Sequence, residues 1–159
     1  MTRIIANPPL IDFLTICMTL PVAEQEQIEA FTGQPYNADH AANGNFNLSG
    51  PKWGLYADNG YCLAIGGFMP SSPGVYRDWL LTSPVLWRTP CYWRSGTRQI
   101  RKLMDEVFAH PDVHALECYS LATRTTAHRW YRTLGYVYET TLAKRASGVD
   151  VVVYSRVKQ

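Results

Sequence analysis

Three groups of residues in this 159-residue chain are placed where side-chain chemistry could occur. Two carboxylates, Asp78 and Glu117, interrupt apolar, strand-like runs. A carboxylate in such a run either faces solvent or is a perturbed group in a cleft. Four cations, Arg94, Arg98, Arg101 and Lys102, crowd one helical stretch. They form either a solvated basic face or a side-chain cradle for anionic phosphates. The third is Tyr131, on a helix whose apolar side combines Ala127, Trp130, Tyr131 and Leu134 at i, i+3, i+4 and i+7. The plain reading of a tyrosine there is a core residue, and His128 on the same helix is expected to face solvent.

Other chemistries find no residues to carry them. His40, His110 and His114 stand in loops and at helix ends without metal-ligand spacing, so no metal site is expected. Cys17, Cys62, Cys91 and Cys118 contain no CxxC pair. Two of them fall in apolar runs, as reduced structural thiols do. There is no P-loop, Rossmann glycine pattern, H-E-x-x-H or G-x-S-x-G. A net charge of +2 is too small to argue for nucleic acid. The apolar run 10–22 contains Asp12 and Pro21, is too short to span a bilayer, and lacks a basic lead-in. An intracellular, soluble protein with no membrane partner is expected.

With 47% hydrophobic and 18% charged residues, the chain is expected to fold as one domain over 1–159. Residues 3–6 suit a short strand, and Leu10, Phe13, Leu14, Cys17 and Met18 give a helical stripe that Pro21 ends. A more polar helix over 22–31 ends at Gly33, and residues 34–50 read as a long loop. Runs 53–58 and 61–69 are joined through Asn59-Gly60, a strong hairpin signal, and 75–82 makes a third strand. Gly66-Gly67 suggests a bulge or a close backbone approach. Residues 85–93 connect to a helix over 96–110. A strand follows at 116–122, then the Tyr131 helix from Thr125 or Thr126 to a left-handed cap at Gly135. Two strands, 136–142 and 149–157, close the chain around a turn at 144–148. This order gives a mixed α/β or α+β layer fold.

That order, with T-A-H-R-W-Y-R-T-L-G-Y at 126–136, resembles the Gcn5-related N-acetyltransferase (GNAT) superfamily. The helix after the fifth strand there commonly reads N-x-x-A-x-x-x-Y-x-x-x-G-[FY]. Ala127, Tyr131, Gly135 and Tyr136 match at the same spacing, and Arg124 stands at the Asn position. The run W-L-L-T-S-x-x-x-W from Trp79 to Trp87, the RQIRKLMDE helix and the terminal Y-S-R-V also resemble small acetyltransferase-like proteins of podophages.

The resemblance implies a mixed, mostly antiparallel sheet flanked by about four helices. It implies acetyl-coenzyme A in a wedge where the fourth and fifth strands splay, with its pyrophosphate on amides opening the next helix. Tyr131 is then the general acid and Glu117, ahead of Asp78, the general base, with a strand amide near Leu81 or Leu80 holding the oxyanion. Cofactor contacts fall on Leu81, Arg94, Gly96, Thr97, Arg98, Arg124 and Ala127. The family's [QR]-x-x-G-x-[GA] loop maps onto 93–98 or 94–99. In the first register Trp93 takes the [QR] position and Arg98 the last small one; in the second, Thr97 and Gln99 take the small positions. Arginine side chains would there stand in for bare amides. Two functions follow. One is an acetyl-coenzyme A dependent N-acetyltransferase whose amine acceptor enters over 34–50. The other is an acetyltransferase-shaped phage protein that docks on a host enzyme in the host cytoplasm through exposed Trp and Tyr.

Overall fold

The computed structural model describes residues 1–158. Strand β1 (Thr2–Ala6) leads into helices α1 (Leu10–Met18), α2 (Val22–Thr32) and α3 (Ala38–Phe46). A meander of β2 (Lys52–Ala57), β3 (Cys62–Ser72) and β4 (Val75–Thr82) follows, then α4 (Pro84–Arg88) and α5 (Pro90–Ala109). The chain continues through β5 (Ala115–Leu121), α6 (Thr125–Thr133), β6 (Val137–Ala146) and β7 (Val149–Val157). The strands form one sheet ordered β1-β2-β3-β4-β5-β7-β6. Only the β4–β5 pair is parallel. The architecture is the mixed, mostly antiparallel one expected, with six helices among the described residues rather than about four.

The two extra helices correct the reading of two connections. Residues 34–50 hold α3, whose Asn43, Gly44 and Asn45 are poor helix formers. Capping and packing override them. Asn37 Oδ1 accepts from the His40 amide at 2.9 Å, and Ala41 and Ala42 are buried beside α1, where Phe13 meets Phe46 edge-on at 5.4 Å. Residues 85–93 form α4 and the opening of α5. Pro84 and Pro90 each stand in a first helical turn, where the missing N–H costs nothing. Helix α5 therefore begins six residues before Gly96. Gly96 is instead buried in the helix interior, where a Cβ would come within 2.7 Å of Leu55 Cδ2.

Gly66-Gly67 is a close approach rather than a bulge. A Cβ on Gly66 would meet Trp53 Cζ2 at 2.4 Å, and one on Gly67 would meet Trp79 Cζ2 at 2.7 Å. Neighbouring residues of a strand point to opposite faces, so one indole lies flat on each face of β3. The core is divided in the same way. Trp53, Leu55, Phe68, Ile100, Met104 and Trp130 pack under α5 and α6, while Phe13, Ile16, Ile65 and Leu81 pack under α1 and α3. Cys17, Cys62 and Cys118 are buried free thiols, and Cys91 is exposed. No helix among the described residues is long and apolar enough to cross a membrane.

Candidate functional site

The parallel pairing of β4 with β5 runs from Val75–Ala115 to Asp78–Cys118 and stops there, although both strands continue. Beyond Asp78 the strands part, and a cavity of about 410 Å³ passes through the gap. The Ser83 amide donates to Leu63 O at 2.9 Å, and Leu81 stands opposite Ile65. By antiparallel alternation the Leu81 amide therefore turns toward β3, whereas those of Leu80 and Thr82 face the gap. Leu81 supplies a buried apolar wall, and Leu80 supplies the N–H.

One flank of the cavity is aromatic and comes from α5 and α6. Trp130 is buried and donates from Nε1 to Thr97 Oγ1 at 3.0 Å. Its ring centroid lies 5.3 Å from those of both Trp87 and Trp93. Tyr131 packs on Tyr154 at 5.7 Å and Tyr136 at 6.3 Å, and lines the cavity with Ala127. Burial, with Cys118 beside it, pushes the Tyr131 phenol well above its ordinary range. It therefore stays protonated and able to donate. Asp78 sits where the strands part and accepts from the Tyr136 hydroxyl. Burial raises its carboxyl to about 6, against the pull of that hydrogen bond.

At the mouth, α2 reaches into the gap. Glu24 is buried, accepts from the Thr82 amide at 3.0 Å and from the Thr82 hydroxyl, and lies 3.7 Å from Arg124 Nη2. Burial raises its carboxyl, partly offset by Thr82 and Arg124. Gln27 Oε1 accepts from the Leu121 amide at 3.1 Å on the facing strand. Trp87 Nε1 donates to Thr82 Oγ1 at 2.6 Å, which joins α4 to the same network. These side chains occupy hydrogen-bonding groups that neighbouring strands would otherwise share.

The expected site residues divide accordingly. Tyr131, Leu81, Arg124 and Ala127 are brought together around the cavity. Glu117 is not: it lies within the paired stretch of the strands, opposite Arg77 and before the opening, where Tyr119 Oη donates to its carboxylate at 3.4 Å. Arg94 and Arg98 are exposed on α5, past its first turn, and Gly96 presents no bare amide. Thr97 serves Trp130, as above. His128 is buried rather than solvent-facing, with Nε2 3.0 Å from Leu121 O, and burial lowers its pKa. Of the groups that sequence reasoning missed, Trp87 and Thr82 carried a signal in the two prolines that set α4 and α5. Glu24 and Gln27 carried none, since α2 has weak apolar periodicity. No group of His, Cys, Asp and Glu able to hold a metal occurs among the described residues.

No known family's sequence model matches the chain. No curated protein is similar to it in sequence. Solved structures are similar in fold. One is the GNAT-family acetyltransferase of Bacillus anthracis, with a TM-score of 0.73 at 10% identity over 98% of this chain and 95% of that one. Another is the spermidine N-acetyltransferase of Vibrio cholerae in complex with CoA and spermine, with 0.74 at 12% identity over 99% and 95%. The chain has the GNAT fold.

Proposed function

We propose that this chain is an acyl-coenzyme A dependent N-acetyltransferase whose donor enters the gap between β4 and β5. The observation that carries the reading is the end of strand pairing at Asp78–Cys118, with the Leu80 amide turned into the opening and Tyr131 beside it. A pantetheine arm suits this gap, because its walls are apolar and the β4 edge leaves the Leu80 amide open where Glu24 holds that of Thr82. The pyrophosphate finds no glycine loop in the segment 83–89, so its charge falls to Arg124 at the mouth.

The bound thioester supplies an activated acetyl group. Asp78 takes the proton of the attacking amine, which a carboxyl titrating near 6 does well at neutral pH. The Leu80 N–H donates to the carbonyl oxygen as charge builds there. Tyr131 gives its proton to the departing sulfur as the carbon–sulfur bond breaks. Calorimetric titration with acetyl-coenzyme A tests the reading. Micromolar binding that survives Tyr131→Phe, with turnover reduced about 100-fold, is expected. No heat at millimolar ligand overturns it.

A second reading rests on Glu24, which holds the Thr82 amide and Arg124 as a donor would. In it the chain is a phage-encoded GNAT-fold protein that works in the host cytoplasm by binding a host enzyme. Its anchors are not tryptophans, because none is among the exposed large hydrophobics, whereas Phe31, Phe46 and Tyr138 are. Glu24→Gln separates the two. It keeps an acceptor for Thr82 but frees Arg124, so acetyl-coenzyme A should bind about ten-fold tighter, the equivalent of about 1.4 kcal/mol. Unchanged, undetectable binding in that variant favours the second reading.

A further inference from the structure

The side of the cavity under α1 to α3 carries donors that nothing in the chain answers. Arg77 Nε and Trp79 Nε1 are both buried without a hydrogen-bond partner. They are two residues apart on β4 and so share a face. Both line the cavity with Tyr119. The Arg77 guanidinium lies 4.1 Å over the Tyr119 ring, which fixes its plane without satisfying its N–H groups. Glu117 stands opposite Arg77 in register but accepts from Tyr119 and makes no ion pair with Arg77 among the described residues. Trp53 Nε1 is also unpartnered, but it lies on the other face of the sheet, over Gly66.

A half-buried cation with its Nε–H fully covered and an adjacent buried indole N–H, both donors only, are complementary to anionic oxygen and to nothing cationic. Burying them unpaired is unfavourable unless a ligand brings acceptors. We propose that Arg77 and Trp79 form a subsite for a carboxylate on the amine acceptor. The acceptor is therefore an aminocarboxylate rather than a simple amine or a polyamine. This rests on the acetyltransferase reading and adds the class of substrate. The gap opens at Asp78, the residue after Arg77. A carboxylate held by Arg77 thus brings an amine a few bonds away to the opening, near Asp78 and the Leu80 amide. The opposite wall offers Ile28, Phe31 and Leu48, so apolar substituents are favoured over charged ones.

The test follows the indole N–H resonance of Trp79 in the full-length protein, identified by its loss in Trp79→Phe. Leucine and phenylalanine are titrated beside isoamylamine and phenethylamine, which lack only the carboxylate, and beside phosphoethanolamine. At least one amino acid should move the resonance downfield while its matched amine does not. Arg77→Gln should weaken that amino acid ten-fold or more and Arg77→Lys less, with acetyl-coenzyme A affinity unchanged in both. If Arg77→Gln does not fold, calorimetry on Trp79→Phe should show the same amino acid weakened. Equal response to the matched amines, no response to either amino acid, or an unchanged affinity in the variants overturns the proposal. Tighter binding of phosphoethanolamine overturns it too and reassigns the donors to a phosphate. A carboxylate-specific response without acetyl-coenzyme A binding keeps the subsite and removes the acetyl transfer, so the two failures are distinct.

Discussion

Two strand-to-helix joints flank the gap, and they are built differently. After β5 the chain turns within three residues into α6, whose buried face is Ala127, His128 and Trp130. Leu134 and a left-handed Gly135 close it. After β4 the chain makes two helices, each opened by a proline, and presents Trp87 and Trp93 to Trp130. The first joint keeps the small-residue economy of a ligand-binding turn. The second fills with indoles the space that glycines would leave bare. The same topology can thus hold its gap open with backbone or with side chains, and the second way moves charge recognition from amides to Arg124.

Trp130 is where the joints meet, so its removal should have the largest effect. Trp130→Ala is expected to destabilise the fold by about 3–5 kcal/mol, as truncating a buried aromatic does. Trp87→Ala on the half-buried neighbour should cost markedly less. Urea unfolding of both variants checks this, and equal losses would mean that the β4 joint is as tightly built as the β5 joint.

The difference between the joints also explains what was legible. The Tyr131 helix repeats its apolar residues with a helical period and ends in glycine, so its bounds can be read from residue types, while its place beside the gap follows from the GNAT resemblance. The GNAT resemblance places the phosphate loop on 93–98 or 94–99, around Gly96. The glycine is there to let α5 lie on Leu55, and the helix had already begun at Pro90. Glu117 stood out as a charge in an apolar strand, but where the strand pairing ends, not composition, decides whether it meets the opening. Glu24 was hidden for the opposite reason. A glutamate on a polar helix gives no sign that it is buried against an amide 58 residues away.

A second contrast concerns Asp78, deep in the gap, against Glu117 within the paired stretch before it. The folded Asp78 carboxyl holds its proton to about pH 6, against an ordinary value of 3.8. Between those values the folded state binds more protons than the unfolded one, so this contribution to stability is present below 3.8 and lost as pH rises through 6. The penalty at neutral pH is about 3 kcal/mol on a scale of 1.36 kcal/mol per pH unit. Asp78→Asn should therefore raise stability by up to about that amount above pH 7, flatten its pH dependence, and abolish the rise of kcat/KM through pH 6. Melts and rate profiles at about pH 5 and 7.5 check both arms. If Asp78→Asn leaves the rate profile intact, Asp78 is not the base.

The smallest effect sharpens the comparison most finely, because it touches one bond between the two joints. Thr97 sits on α5 and accepts from Trp130 Nε1 at 3.0 Å while donating to Trp93 O at 2.8 Å. Thr97→Val keeps the shape and removes both bonds, leaving a buried indole N–H without an acceptor. A loss of about 1–2 kcal/mol is expected, with acetyl-coenzyme A affinity following only as far as Trp130 moves. If the indole is held by its three-tryptophan packing, near-UV circular dichroism should be retained and affinity unchanged. If the hydrogen bond sets the ring's angle, the aromatic signal should weaken and affinity should fall with it. The first outcome makes the β4 joint a packed wall, and the second makes it an aligned one.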